Sequence, residues 1–84
     1  MTSKTTAPIV LSQTAPWNPA LRNGYRTRYT EVAGRHFRVQ AETLDGLWFV
    51  EETDTDGTPL PTDPCRAAFT LAEARNIIRN TANA

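Results

Sequence analysis

The sequence predicts an α+β domain: a three-stranded antiparallel β-meander, extensible by a short fourth strand, packed against one C-terminal α-helix and preceded by an extended N-terminal arm. Three observations predict it. Apolar and polar residues alternate across two stretches between Tyr25 and Glu42. Asp45-Gly46, between the second and third apolar runs, is a two-residue hairpin signal. Thr70-Leu71-Ala72-Glu73 has the spacing of a capping box ahead of an amphipathic run.

Residues 1–23 form the expected arm, flexible or extended, and residues 24–84 the small β-β-β-α domain. The arm is rich in Thr, Ser and Ala, holds Pro8, Pro16 and Pro19, and has no sustained period. Ile9-Val10-Leu11 and Trp17 interrupt its polarity and suit an added edge strand or an anchor on the domain.

Tyr25 to Glu31 is the first strand and Phe37 to Glu42 the second, each with one face to bury. Leu47-Trp48-Phe49-Val50 is the third. A two-residue loop at Asp45-Gly46 pairs Ala41 with Val50, so that Phe37, Val39, Ala41, Trp48 and Val50 share a core face. The first hairpin has two registers. A two-residue loop at Ala33-Gly34 puts Arg26 and Arg28 on that core face, where unpaired charge is costly. A three-residue loop, Val32-Ala33-Gly34, sets Tyr29 opposite Phe37 and sends both arginines outward. The second register is the expected one, with Tyr25 and Tyr29 in the core.

Residues 53–64 read as an acidic loop stiffened by Pro59, Pro61 and Pro64, and Arg66 to Phe69 as a brief fourth strand. In the helix opened by Thr70, Leu71, Ala74, Ile77 and Ile78 fall on one face. About ten residues do not hold alone in water, so the helix must dock, and the Phe37/Val39/Trp48/Val50 face is its natural seat.

The 84 residues carry nine basic and nine acidic side chains, but unevenly. Residues 1–40 hold six cations and only Glu31, whereas residues 41–84 hold three cations and eight acids. No apolar run approaches the roughly 20 residues of a membrane span. Cys65 is the only cysteine, so no internal disulfide forms, and a reducing, cytoplasmic setting is expected.

In the expected register Arg26, Arg28 and Arg38 converge on the outer sheet face beside His36, Gln40, Leu47 and Phe49, with Trp17 of the arm near enough to join them. Guanidinium forks next to exposed aromatic surface suit an acidic protein patch or a phosphate backbone. The competing reading is that the arm simply covers Leu47 and Phe49. No catalytic residue is assigned: Cys65 follows Pro64 in a loop, His36 opens a strand, and neither has a motif around it. Glu52, Asp54, Asp56, Gly57 and Asp63 approximate a calcium loop. Position 1 is Glu where Asp belongs, position 12 is Asp where Glu belongs, and prolines intervene. A solvated acidic turn is the better account, and no metal or cofactor is expected.

The segment Phe69-Thr70-Leu71-Ala72-Glu73-Ala74-Arg75 resembles the strand-to-helix junction of the arm-binding domains of tyrosine recombinases. Plant ethylene-response-type DNA-binding domains are similar in shape and read DNA with a three-stranded sheet. That resemblance implies DNA contacts by Arg26, Arg28 and Arg38. The same junction is also faintly similar to that of HicB-type antitoxin domains. Against the DNA reading stand the acidic third strand, Glu51 and Glu52, and the zero net charge. The function expected from these residues is therefore a non-enzymatic regulatory or inhibitory module, of the kind carried by phages and other mobile elements. It binds a partner protein through the outer sheet face and the arm, as a monomer or homodimer; DNA binding through the same face is the alternative.

Overall fold

The computed structural model describes residues 8–22, 26–41, 46–62 and 64–84. Four strands form one antiparallel sheet in chain order: β3 (Thr27–Val32), β4 (Arg35–Ala41), β5 (Trp48–Thr53) and β6 (Arg66–Ala68). Before them come β1 (Thr14–Ala15) and β2 (Asn18–Arg22), a small hairpin, and after them α1 (Leu71–Ala82). The class is α+β, the short fourth strand extends the meander, and a second, two-stranded sheet stands where an arm was expected. Among the described residues no helix is long and apolar enough to cross a membrane.

The helix begins as its sequence dictates. Thr70 is the N-cap in extended conformation, and its hydroxyl accepts the Glu73 N–H at 3.0 Å. The Glu73 carboxylate reaches back to accept the Phe69 N–H at 2.8 Å, one residue before the cap itself. Ala74 and Ile78 are fully buried, and Leu71 and Ile77 pack around them against Phe37, Val39 and Val50. That is the expected seat for the helix.

The second hairpin keeps the expected faces but not the expected register. Ala41 pairs with Trp48 and Val39 with Val50, a shift of two residues that leaves side-chain parity unchanged. Of the expected turn, Gly46 has φ +85°, while Leu44, Asp45 and their neighbours from residue 42 lie outside the described residues.

The first hairpin overturns the expected register. Val32 pairs with Arg35 across a two-residue turn, with Ala33 at φ +53° and Gly34 at φ +77°, the backbone of a type I′ turn. Thr30 therefore faces Phe37, and Tyr29 faces Arg38. Tyr29 and Phe37 lie on opposite sides of the sheet, and Arg26 and Arg28 share the helix side with Ala41 and Val39. Tyr25 lies outside the described residues. The expectation failed because it allowed only one buried face. Tyr29 is fully buried on the other side, under the N-terminal hairpin. Both arginines sit half-buried on the outermost strand, where long side chains reach solvent past an apolar stem.

Residues 8–22 are thus part of the folded unit and not a free arm. Ile9 enters the helix-side core, Ser12 and Tyr29 exchange backbone hydrogen bonds at 3.0 and 2.7 Å, and the chain then folds over the other face. Trp17 packs edge-on against Tyr29 and His36, with ring centroids 6.1 and 4.4 Å apart, and its indole N–H donates to the Thr55 carbonyl at 2.8 Å. Leu21 rests on Gly57, where a Cβ would approach it to 2.8 Å. The result is three layers: helix, four-stranded sheet, hairpin. The boundary expected between residues 23 and 24 falls outside the described residues.

Ala33 supplies a direct test of the turn. An alanine in the left-handed region costs about 1 kcal/mol relative to a residue that tolerates it. Ala33→Asn, giving the Asn-Gly pair that type I′ turns favour, is expected to raise stability by about 0.5–1 kcal/mol in urea unfolding. A fall in the urea midpoint would contradict this backbone.

Candidate functional site

With the helix on one face and the hairpin over β3 on the other, the least covered part of the sheet is the hairpin-side surface of β5 and β6. Cross-strand pairing sets Gln40, Phe49 and Ala67 in one row there. Ala67 is exposed, while Gln40 and Phe49 are half-buried. Phe69, immediately after β6, leaves 76% of its surface in solvent. Leu47, just before β5, is half-buried.

A polar row borders this patch. Arg38 donates from Nη2 to the Glu51 carboxylate at 2.7 Å, and the exposed Cys65 thiol lies 3.8 Å from the other Glu51 oxygen. Arg38 Nε is buried and has no hydrogen-bond partner. The next row holds His36, whose Nε2 is 2.7 Å from Glu31 Oε2 and whose ring is covered by Trp17. Cys65 and His36 thus turn to different carboxylates.

The residues expected to form one basic face are therefore divided. Arg38, His36, Gln40 and Phe49 do share a face. Arg26 and Arg28 lie on the opposite one, because the first hairpin turns in two residues rather than three. His36 and Trp17 pack on each other. Ala67, Phe69 and Glu51 are not among the site residues expected from the sequence. The available signal was the alternation Cys65, Ala67, Phe69 in a strand that has no further strand beyond it.

On the helix side, Arg35 donates from Nε and Nη2 to both oxygens of Glu52, at 2.8 and 2.6 Å, and from Nη1 to the Thr81 carbonyl at 2.8 Å. Arg66 donates to the Thr81 hydroxyl at 2.7 Å. Two strand arginines therefore tie down the last turn of α1, where cations complement the helix dipole. The Arg35 hydrogen bonds hold the Glu52 carboxyl below its ordinary value of 4.5. The charges of Arg35, Arg66 and His36 help, against the opposing effect of burial. A depressed folded-state value gives stability that is complete above pH 4.5 and lost as the pH falls through the lower value. Glu52→Gln is expected to cost about 1–3 kcal/mol at pH 7, a range that allows for the partly exposed Arg35. It should also flatten the loss of stability as the pH falls below 4.5. Urea midpoints over that range check both; an unchanged acid limb would remove Glu52 from the account.

In the acidic turn, Asp54 Oδ1 accepts the N–H groups of Asp56 and Thr58 at 2.9 and 3.0 Å, so this carboxylate caps its own loop. Glu52 is engaged by Arg35, and Asp63 lies outside the described residues. Among the described residues no three His, Cys, Asp or Glu side chains gather as a metal site.

Compared with protein-family models, with curated proteins and with solved structures, the chain matches none.

Proposed function

We propose that the chain is a small non-enzymatic module that binds a partner protein on the open β5–β6 side of the hairpin face, acting by occlusion or recruitment. Phe69 carries the reading: one residue past β6, it is 76% exposed, it follows the Phe49–Ala67 pair in sequence, and an exposed phenylalanine is the kind of aromatic anchor that protein interfaces bury. Gln40 and Leu47 extend the patch, and the Arg38–Glu51 pair gives it a polar rim. A regulatory or inhibitory role follows from a surface whose largest exposed side chain is Phe69. The DNA reading loses its main support, since Arg26 and Arg28 face away from Arg38.

The test compares Phe69→Asp with wild type. Phe69 is exposed, so stability should stay within about 0.5 kcal/mol. Binding to a partner isolated with the tagged chain from its host, then purified and titrated, should weaken by about tenfold or more. Unchanged affinity in Phe69→Asp would refute the site. Binding to duplex DNA that collapses with added salt and is lost in Arg28→Glu, with no protein partner found, would favour the alternative.

A further inference from the structure

We infer that the outer edge of β6 is a self-pairing strand, on which a second copy of this chain docks antiparallel about a two-fold axis at Ala67. The direction of the backbone groups follows from the ladder. The Ala41 N–H donates to the Arg26 carbonyl at 3.0 Å, so odd-numbered residues of β4 bond to β3 and even-numbered ones to β5. On β5 the odd-numbered residues then bond to β4, and the even-numbered ones face the other way. The Glu52 carbonyl agrees, since it accepts the Leu60 N–H at 2.9 Å on that far side. Arg66 and Ala68 therefore bond to Val50 and Trp48, and both backbone groups of Ala67 point out of the sheet.

The two edges of the sheet differ. Ser12 exchanges both hydrogen bonds with Tyr29 midway along the outer side of β3, so that edge is occupied. Among the described residues no backbone group pairs with the outer side of β6, and Ala67 is exposed. Such an edge is a template for another strand. With the β3 edge closed, copies cannot add head to tail, and association stops at a two-fold pair.

The edge is complementary to itself. Ala67 offers one donor and one acceptor, and about the axis each meets its counterpart on the second copy. The row ends at Phe69, whose N–H already donates to the Glu73 carboxylate at 2.8 Å, so a longer foreign strand finds little further edge to pair with. The same register sets residue 69 of one copy opposite residue 65 of the other. Phe69, 76% exposed, thereby gains cover along a row, Cys65, Ala67 and Phe69, that carries no charge. Arg66 falls opposite Ala68 of the second copy, and its guanidinium is held by Thr81 of its own helix at 2.7 Å. Self-pairing covers part of Phe69 and so competes with the partner proposed above. Ala67 separates the two, because it belongs to the edge.

Sedimentation equilibrium of the full chain should show monomer and dimer only, with half-association on the order of 100 µM. Ala67→Pro removes the outward N–H and no bond to β5, a change that edge strands tolerate. It should keep the wild-type circular dichroism spectrum and weaken self-association by about tenfold or more. In a Cys65→Ser background, Ala67→Cys should give a disulfide-linked dimer on mild oxidation, because directly bonded pairs hold their Cα atoms about 5.5 Å apart, within disulfide reach. Ala20→Cys, exposed on β2, should stay monomeric in the same background. A monomer at every concentration up to about 1 mM, self-association unchanged in Ala67→Pro, or cross-linking no greater at Ala67 than at Ala20 would each overturn the assignment.

Discussion

Phe37→Ala is expected to lower stability by about 3–5 kcal/mol, the usual cost of emptying a fully buried aromatic site. Phe37 has no exposed surface and belongs to the core cluster with Val39, Val50, Ala74 and Ile78. A domain of this length holds about 4–13 kcal/mol in total. The variant should therefore melt roughly 15–30 °C lower, or fail to fold at all. Circular dichroism and tryptophan emission should be lost in one transition, because the helix has no other seat and cannot persist alone. A cost below about 1.5 kcal/mol would mean that the helix packs elsewhere.

Trp17→Ala is expected to act differently. Trp17 is partly buried, so its removal should cost about 2–3 kcal/mol, toward the low end for large aromatic residues. It deletes the ring covering Tyr29 and His36 and the hydrogen bond to Thr55. The hairpin should open as a local unit while the helix-side core holds. Amide exchange should quicken over residues 14–22, Tyr29 should become accessible, and protection in α1 should persist. Uniform loss of protection would show that both layers fold as one block.

The contrast between these two variants follows from how the sequence encodes each layer. The helix side was legible: Thr70 and Glu73 announce the start of α1, and the spacing of Leu71, Ala74, Ile77 and Ile78 matches the face it buries. The faces of β4 and β5 were legible too, because Phe37, Val39, Trp48 and Val50 alternate without ambiguity, and a two-residue slip preserves parity. The other side was not. Its cover comes from residues 14–22, whose prolines and short strands give no periodic signal, so the sequence pattern offers Tyr29 only the helix core. Once Tyr29 was assigned there, Arg26 and Arg28 had to point outward. Ala33 deepened the error, since alanine gives no warning of a positive φ.

The same error explains how far the candidate site could be anticipated. Arg38, Gln40 and Phe49 were placed together correctly because their strand pair was read with the right parity. Arg26 and Arg28 were misplaced with β3. Phe69 closes the expected fourth strand and opens the junction motif, and its exposure depends on where β6 ends, at Ala68, which sequence alone does not fix.

The central claim is that both faces of the four-stranded sheet are covered, with Tyr29 beneath the N-terminal hairpin and Phe37 beneath the helix. Nuclear Overhauser contacts of the Tyr29 ring test it most directly. Cross-peaks from Tyr29 to the Trp17 indole, with none to the Ile78 methyls, are the predicted result; contacts from Tyr29 to Ile78, with Trp17 in solvent, would contradict it.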